Sequence, residues 1–232
     1  MRKWKSGRIE TIFAHSAEAE HAEKIKAVLK DYYPELDPRE QRSLPEILNK
    51  LSAWKEFDDF SSIINGLRSE VLYKSRVHGI WHIERTALWC GILCMELGVK
   101  GRMMELCTVS ALYHDIGRID EREDREHGRR GAELFKSAFP EYTGRERDLI
   151  CALIEAHSLD DSDSRNIMEK FVLNDYDPEY QMLLRILKDA DALERFRLTE
   201  HSLATHYLRN KISLSFVGAA LDMVLYQNNN NE

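Results

Sequence analysis

The chain has 232 residues, a formal net charge of −7, and hydrophobic and charged fractions of 43% and 31%. That length can bury a substantial core within one large domain, and the balance excludes both the disordered and the membrane-spanning classes. The acidic surplus argues against a nucleic-acid polymer as partner, because phosphate backbones are held by clustered Lys and Arg.

The N-terminal MRKWKSGRIETIF is basic but lacks the apolar run of a secretory signal. The most apolar stretch, Ala87 to Met95, is far short of the roughly 18 residues a membrane span requires. A cytoplasmic chain without membrane contact is expected. Hydrophobic spacing is helical along nearly all of the sequence, which predicts an all-α fold. The first helix is expected over Glu18 to Tyr32, ended by Pro34. Ser43-Leu44-Pro45-Glu46 reads as a capping box opening a helix over Leu44 to Leu51, and a third is expected over Asp59 to Tyr73. Further helices are predicted over Ile80 to Leu97, with Gly98 as stop signal, and over Arg102 to Tyr113.

The charged segment Arg118 to Glu126 reads as a loop. After it, helices are expected over His127 to Phe139, Arg145 to His157, Pro178 to Asp191 and Leu214 to Tyr226. Between His157 and Pro178 the polar run SLDDSDSRN suggests a mobile rim over a site. Residues 227–232, ending in NNNNE, read as a disordered tail. The first 70 residues form a helical extension to a domain at 71–226, able to cap a pocket or to form a homodimer surface. The four cysteines, Cys90, Cys94, Cys107 and Cys151, contain no CxxC pair and are read as reduced core thiols.

His114-Asp115, at the end of a predicted helix, places an imidazole and a carboxylate where both can face one ion. His82 near the start of one apolar helix and Asp191 at the end of another complete a set of four N and O donors. Such a set suits Mn, Ni, Co, Mg, Fe or Zn and leaves room for water or substrate.

A His, then a His-Asp pair, then a distant Asp resembles the HD-domain superfamily of metal-dependent phosphohydrolases. The residues that carry the resemblance are His82-Ile83-Glu84-Arg85, LYHDIGR at Leu112 to Arg118, and KDADALER with Asp191. The resemblance spans about His78 to Arg197 and implies a compact multi-helix bundle holding one or two divalent ions. It favours His82 over His78 as first ligand and Asp191 over Asp189 as last, leaving His78 and Asp189 as supporting residues around the ligands. His127 and His157 look like the extra histidines that hold a second metal or the substrate phosphate, with Asp115 as bridge. Arg118, where many relatives carry Lys, can pair bidentately with a phosphate.

The implied activity is hydrolysis of a phosphomonoester or phosphodiester of a small metabolite or nucleotide by metal-activated water, with Asp115 and Arg118 as catalytic residues. Two other readings use the same ligands: a di-iron oxygenase of the HD type, and a regulatory module whose metal is not catalytic.

Overall fold

The computed structural model describes residues 4–13, 19–171 and 178–229. Among these residues it is built of α-helices, short 3-10 turns and loops, with no strand. The helices are α1 (Gly7–Phe13), α2 (Ala19–Tyr32), α3 (Leu44–Ser52), α4 (Phe57–Asn65), α5 (Ile80–Glu96), α6 (Arg102–Tyr113), α7 (His127–Ala138), α8 (Gly144–Ala156), α9 (Ser164–Lys170), α10 (Pro178–Leu193) and α11 (Val217–Asn229).

α5 is the axis of the fold. Thirteen of its residues, from His82 to Cys94 without a gap, are buried, as expected of a helix apolar on every face. It packs against α6 and α10 along its length, and against α1, α3 and α4 on its other sides. Trp89 lies at its centre, fully buried and stacked on Phe216 at a centroid distance of 5.9 Å. Its end follows from Gly98, whose φ of 73° only glycine adopts without strain. The amide of Val99 donates to Cys94 O at 2.8 Å and that of Gly98 to Met95 O at 3.4 Å, the paired closure that satisfies helix-end carbonyls. α7 and α8 pack on one another, α8 also lies against α6, and α11 packs on α2.

Several boundaries differ from expectation for local reasons. α4 stops at Asn65 rather than Tyr73, because Gly66 closes it with bonds to Ser62 O and Ile63 O. Beyond it the chain is claimed by tertiary contacts: Arg68 N donates to the Tyr113 hydroxyl at 3.0 Å and the Arg68 guanidinium to Ala138 O at 2.6 Å. Ser43 does cap α3, accepting from Glu46 N at 3.4 Å, but the Glu46 side chain turns to Arg42 instead of closing the box. Within the polar run expected as a mobile rim, a 3-10 turn at Asp161–Asp163 precedes α9. Asp161 is tied to Lys188 at 2.7 Å and to Arg209 at 3.0 Å. The rest of that expectation, at 172–177, lies outside the described residues. α11 extends to Asn229, so helix covers the first three residues of the expected tail; residues 230–232 lie outside the described set.

The first 70 residues contribute to the same core as the rest: Ile9, Ile12, Leu44, Ile47 and Phe60 are buried in it. Arg8 on α1 makes a two-pronged ion pair with buried Glu84 on α5, at 2.8 and 2.9 Å. No helix among the described residues is long and apolar enough to cross a membrane.

Candidate metal centre

Helix ends build the centre. α6 stops at Tyr113 and α8 at Ala156, and the residue just past each end is a histidine. The last carbonyls of a helix lack intrahelical partners, and here imidazoles take them up. His114 Nδ1 donates to Ala111 O at 2.8 Å and His157 Nδ1 to Ile154 O at 2.6 Å. His127, the first residue of α7, likewise donates from Nδ1 to the carbonyl of Asp124. A carbonyl only accepts, so each Nδ1 carries a proton there, and Nε2 is the ring atom left to face an ion.

Those Nε2 atoms converge. His82 Nε2 lies 3.1 Å from His114 Nε2 and 3.3 Å from Asp191 Oδ1. His127 Nε2 lies 3.0 Å from His157 Nε2. Asp115 stands between the two pairs with one oxygen to each side. Its Oδ2 is 3.7 Å from His82 Nε2 and 3.8 Å from His114 Nε2, while Oδ1 is 3.1 Å from His127 Nε2 and 3.6 Å from His157 Nε2. The cluster is enclosed: His82, His114, Asp115, His127 and His157 are all buried. The side chain of Asp191 is 33% exposed and marks the face open to solvent.

The remaining sequence candidates fall around this cluster. His78 Nδ1 donates to Asp115 Oδ2 at 2.9 Å. Arg118 donates from Nε to Asp115 Oδ1 at 3.2 Å and from a terminal nitrogen to Arg122 O at 3.1 Å, so its guanidinium braces the central carboxylate. Asp189 is turned away from the cluster. Two residues from Asp191 on a helix, it faces another side, and it accepts from Arg209 N, Asn210 N and Ser213 Oγ at 2.7 to 2.8 Å. It thereby anchors the segment leading into α11, and its expected place beside the ligands is corrected to that role.

Three other residues gain a part beside the cluster from the structure. Glu194, fully buried in the turn after α10, pairs with Arg85 at 2.7 Å and lies 3.7 Å from His82 Nδ1. Arg197 donates to Val77 O at 2.9 Å beside His78. Gly117 lies where a Cβ would stand 2.1 Å from His127 O and 2.3 Å from Gly131 N, so only glycine lets the turn after Asp115 touch α7. The sequence holds one signal for the first of these: His82 and Arg85 are three residues apart, as are Asp191 and Glu194.

The electrostatics are those of a cation site. Burial alone would raise the Asp115 carboxyl, but His114 and hydrogen bonds from His127, His157 and His78 hold it well below the ordinary range. Asp191 is likewise held low against its desolvation, by His82, His114 and Arg197. Burial, then Arg197 and His114, push the His82 imidazole well below its usual value. Two carboxylates and four converging imidazole nitrogens form a donor set suited to a divalent cation. The Nε2 separations of 3.0 and 3.1 Å let each pair reach one ion at about 2.1 Å. The residues fit a divalent metal, and the split of Asp115 between the pairs gives room for one ion or two. A cavity of about 590 Å³ between α2, the start of α3 and α11 shares no lining residue with this cluster, which is distinguished by its chemistry rather than its volume.

Comparison with known families matches the HD domain over residues 79–195, just over half of the chain. The chain belongs to the HD domain family. The match begins one residue before α5 and ends two residues short of Arg197, so it contains His82, His114, Asp115, His127, His157 and Asp191. No curated protein and no solved structure matches the chain.

Proposed function

We propose that this HD domain hydrolyses a phosphate ester of a small metabolite or nucleotide, using one or two divalent ions held by His82, His114, Asp115 and Asp191, with His127 and His157 on the second side. The observation that carries the reading is the placement of Asp115, with one carboxylate oxygen toward each pair of inward-facing imidazoles. A bound divalent ion would polarise a phosphoryl oxygen and bring the pKa of a water toward neutrality.

The chain's own residues supply the rest. With neutral imidazoles, the two carboxylates make the cluster doubly negative; one ion neutralises it and a second makes it positive, so an anionic ester is attracted. Arg118 and Arg197 add positive charge near the same carboxylates. The buried histidines and Asp115 are fixed before substrate arrives, so stabilising the extra charge on phosphoryl oxygens needs little rearrangement. Substrate enters from the Asp191 side, where the cluster is open.

The test is elemental analysis of purified protein with a phosphomonoesterase and phosphodiesterase panel under added Mn, Ni, Co or Mg. Phosphate release that depends on metal and stops on chelation is expected. Bound di-iron with dioxygen consumption would replace the hydrolase reading with an oxygenase. Bound metal with no turnover on any ester would leave a regulatory module.

A further inference from the structure

The cavity between α2, the start of α3 and α11 has no part in the metal centre. Its volume of about 590 Å³ falls within the roughly 300–1,000 Å³ that small-molecule sites occupy. Every residue lining it lies at 21–44 or 218–222. The HD match covers residues 79–195, so the cavity is built wholly by segments outside the family domain.

Its walls and its mouth differ in chemistry. Leu29, Tyr33, Leu44 and Ala219 line it and are buried, with half-buried Ile25 and Leu36 beside them. The polar groups of the wall are already engaged. Gln41 donates to Leu214 O at 2.9 Å and accepts from Gly218 N at 3.0 Å, and Arg42 is held by Glu96 at 2.8 Å and Glu46 at 3.2 Å. Asp222, the one carboxylate in the lining, is buried and faces His21 Nδ1 at 3.3 Å. The exposed lining residues mark the mouth, and they include Lys26 and Lys30, one turn apart on α2. Lys30 has no ion-pair partner among the described residues. Lys26 meets exposed Glu23 at 2.7 Å, a contact that water screens.

Gly218 keeps the floor of the cavity open. It lies in the first turn of α11, where a Cβ would stand 3.4 Å from Ile25 and Leu29 and 3.6 Å from Gln41, ordinary contact distances. Alanine would fit there and is the better helix former. Glycine therefore leaves room rather than avoiding a clash. Apolar walls without neighbours forgo packing contact, which an apolar occupant restores.

We propose that this cavity binds an anionic amphipath, a hydrocarbon body with a single acidic head such as a long-chain carboxylate. The body lies against Leu29, Tyr33, Leu44 and Ala219, where no polar group of the wall is left to be served. The head lies between Lys26 and Lys30. A cationic head would be repelled there, and an uncharged one would gain nothing from the pair. Nothing in this site depends on a metal ion.

The experiment titrates the full-length protein by calorimetry with dodecanoate below its micelle concentration. Dodecanol and dodecyltrimethylammonium, which keep the tail and change the head, are titrated beside it. Dodecanoate should bind about tenfold tighter than either. Lys26→Glu/Lys30→Glu, a change confined to the exposed side of α2, should weaken dodecanoate about tenfold, leave dodecanol unchanged and turn the preference to dodecyltrimethylammonium. Ala22→Trp fills the cavity from α2 and should weaken binding of all three; if that variant fails to fold, the lysine variant still decides. Binding of none of the three overturns the proposal. So does equal binding of all three, or a dodecanoate affinity that the lysine variant leaves unchanged, since the tail would then sit elsewhere.

Discussion

Two clusters of donor atoms share α5 and α6, and they differ in how their donors are held. Cys90 lies eight residues beyond His82 on α5, about 12 Å along the axis, and Cys107 lies seven residues before His114. Cys90, Cys94 and Cys107 are close enough together to enclose an ion, as are His82, His114 and Asp191. The thiols, however, are wholly buried among apolar neighbours such as Leu88, Ile92 and Leu93. Two of their hydrogens have acceptors: Cys90 Sγ donates to Cys107 Sγ at 3.2 Å, and Cys107 Sγ to Leu183 O at 3.8 Å. Contacts with Cys90 and Cys94, then burial, hold the Cys107 thiol well above its usual range, while hydrogen bonds with Cys107 and Cys90 pull the Cys94 thiol down to about 5. The histidine cluster is the reverse. Its outward nitrogens are satisfied by backbone carbonyls, its inward nitrogens converge, and ionised Asp115 lies between them. Donor proximity is common to both clusters; the convergence of imidazoles on carboxylates, with a side chain open to solvent, belongs to one.

The sharpest break in that comparison is Asp115→Ala. Loss of the residue shared by both halves removes several kcal/mol of stabilisation, so kcat/KM for the best ester should fall about a thousand-fold or more, measured with metal content on the same sample. Retained turnover would refute the site. Gly117→Ala comes next. Its Cβ would strike the backbone of His127 and Gly131, so a loss of about 3 kcal/mol and a fall in Tm of roughly 6–12 °C are expected, with reduced metal stoichiometry as α7 shifts.

A smaller effect is expected from pH in the metal-free protein. The folded value of His82 is depressed, first by burial and then by Arg197 and His114. Its contribution is therefore complete above the unfolded value near 6.5 and is lost as pH falls from there toward the folded value, by at most about 1.4 kcal/mol per pH unit. Urea unfolding from pH 8 to 5 should show this slope, and His82→Gln should flatten it. The thiol cluster should matter least to the chemistry. Replacing Cys90, Cys94 and Cys107 by Ala should cost roughly 1 kcal/mol each in stability, while metal content and turnover stay within about twofold. A large loss of bound metal would erase the distinction between the clusters.

Most of the helices were legible because their signals are local. The apolar run of α5, its Gly98 closure and the start of α3 at Ser43 are written in adjacent residues. α6 falls at its expected ends, Arg102 and Tyr113. The extent of α4, α9 within a polar run, and the 3-10 turns before α11 were not legible, since Arg68, Asp161 and Asp189 are fixed there by partners far along the chain. The HD pattern brought six donor residues into view, and the structure gathers them. The opposite facing of Asp189 and Asp191 follows from their spacing on α10, but which one faces inward depends on the loop that Asp189 binds. The Arg85–Glu194 pair joins residues 109 apart, and no local pattern announces it.

The account turns on where a divalent ion binds, and Mn²⁺-soaked crystals measured at a wavelength with anomalous signal from manganese address this directly. A peak enclosed by His82, His114, Asp115 and Asp191 is predicted, with a second between Asp115, His127 and His157 if two ions bind. A peak among Cys90, Cys94 and Cys107, or none within reach of Asp115, would contradict it.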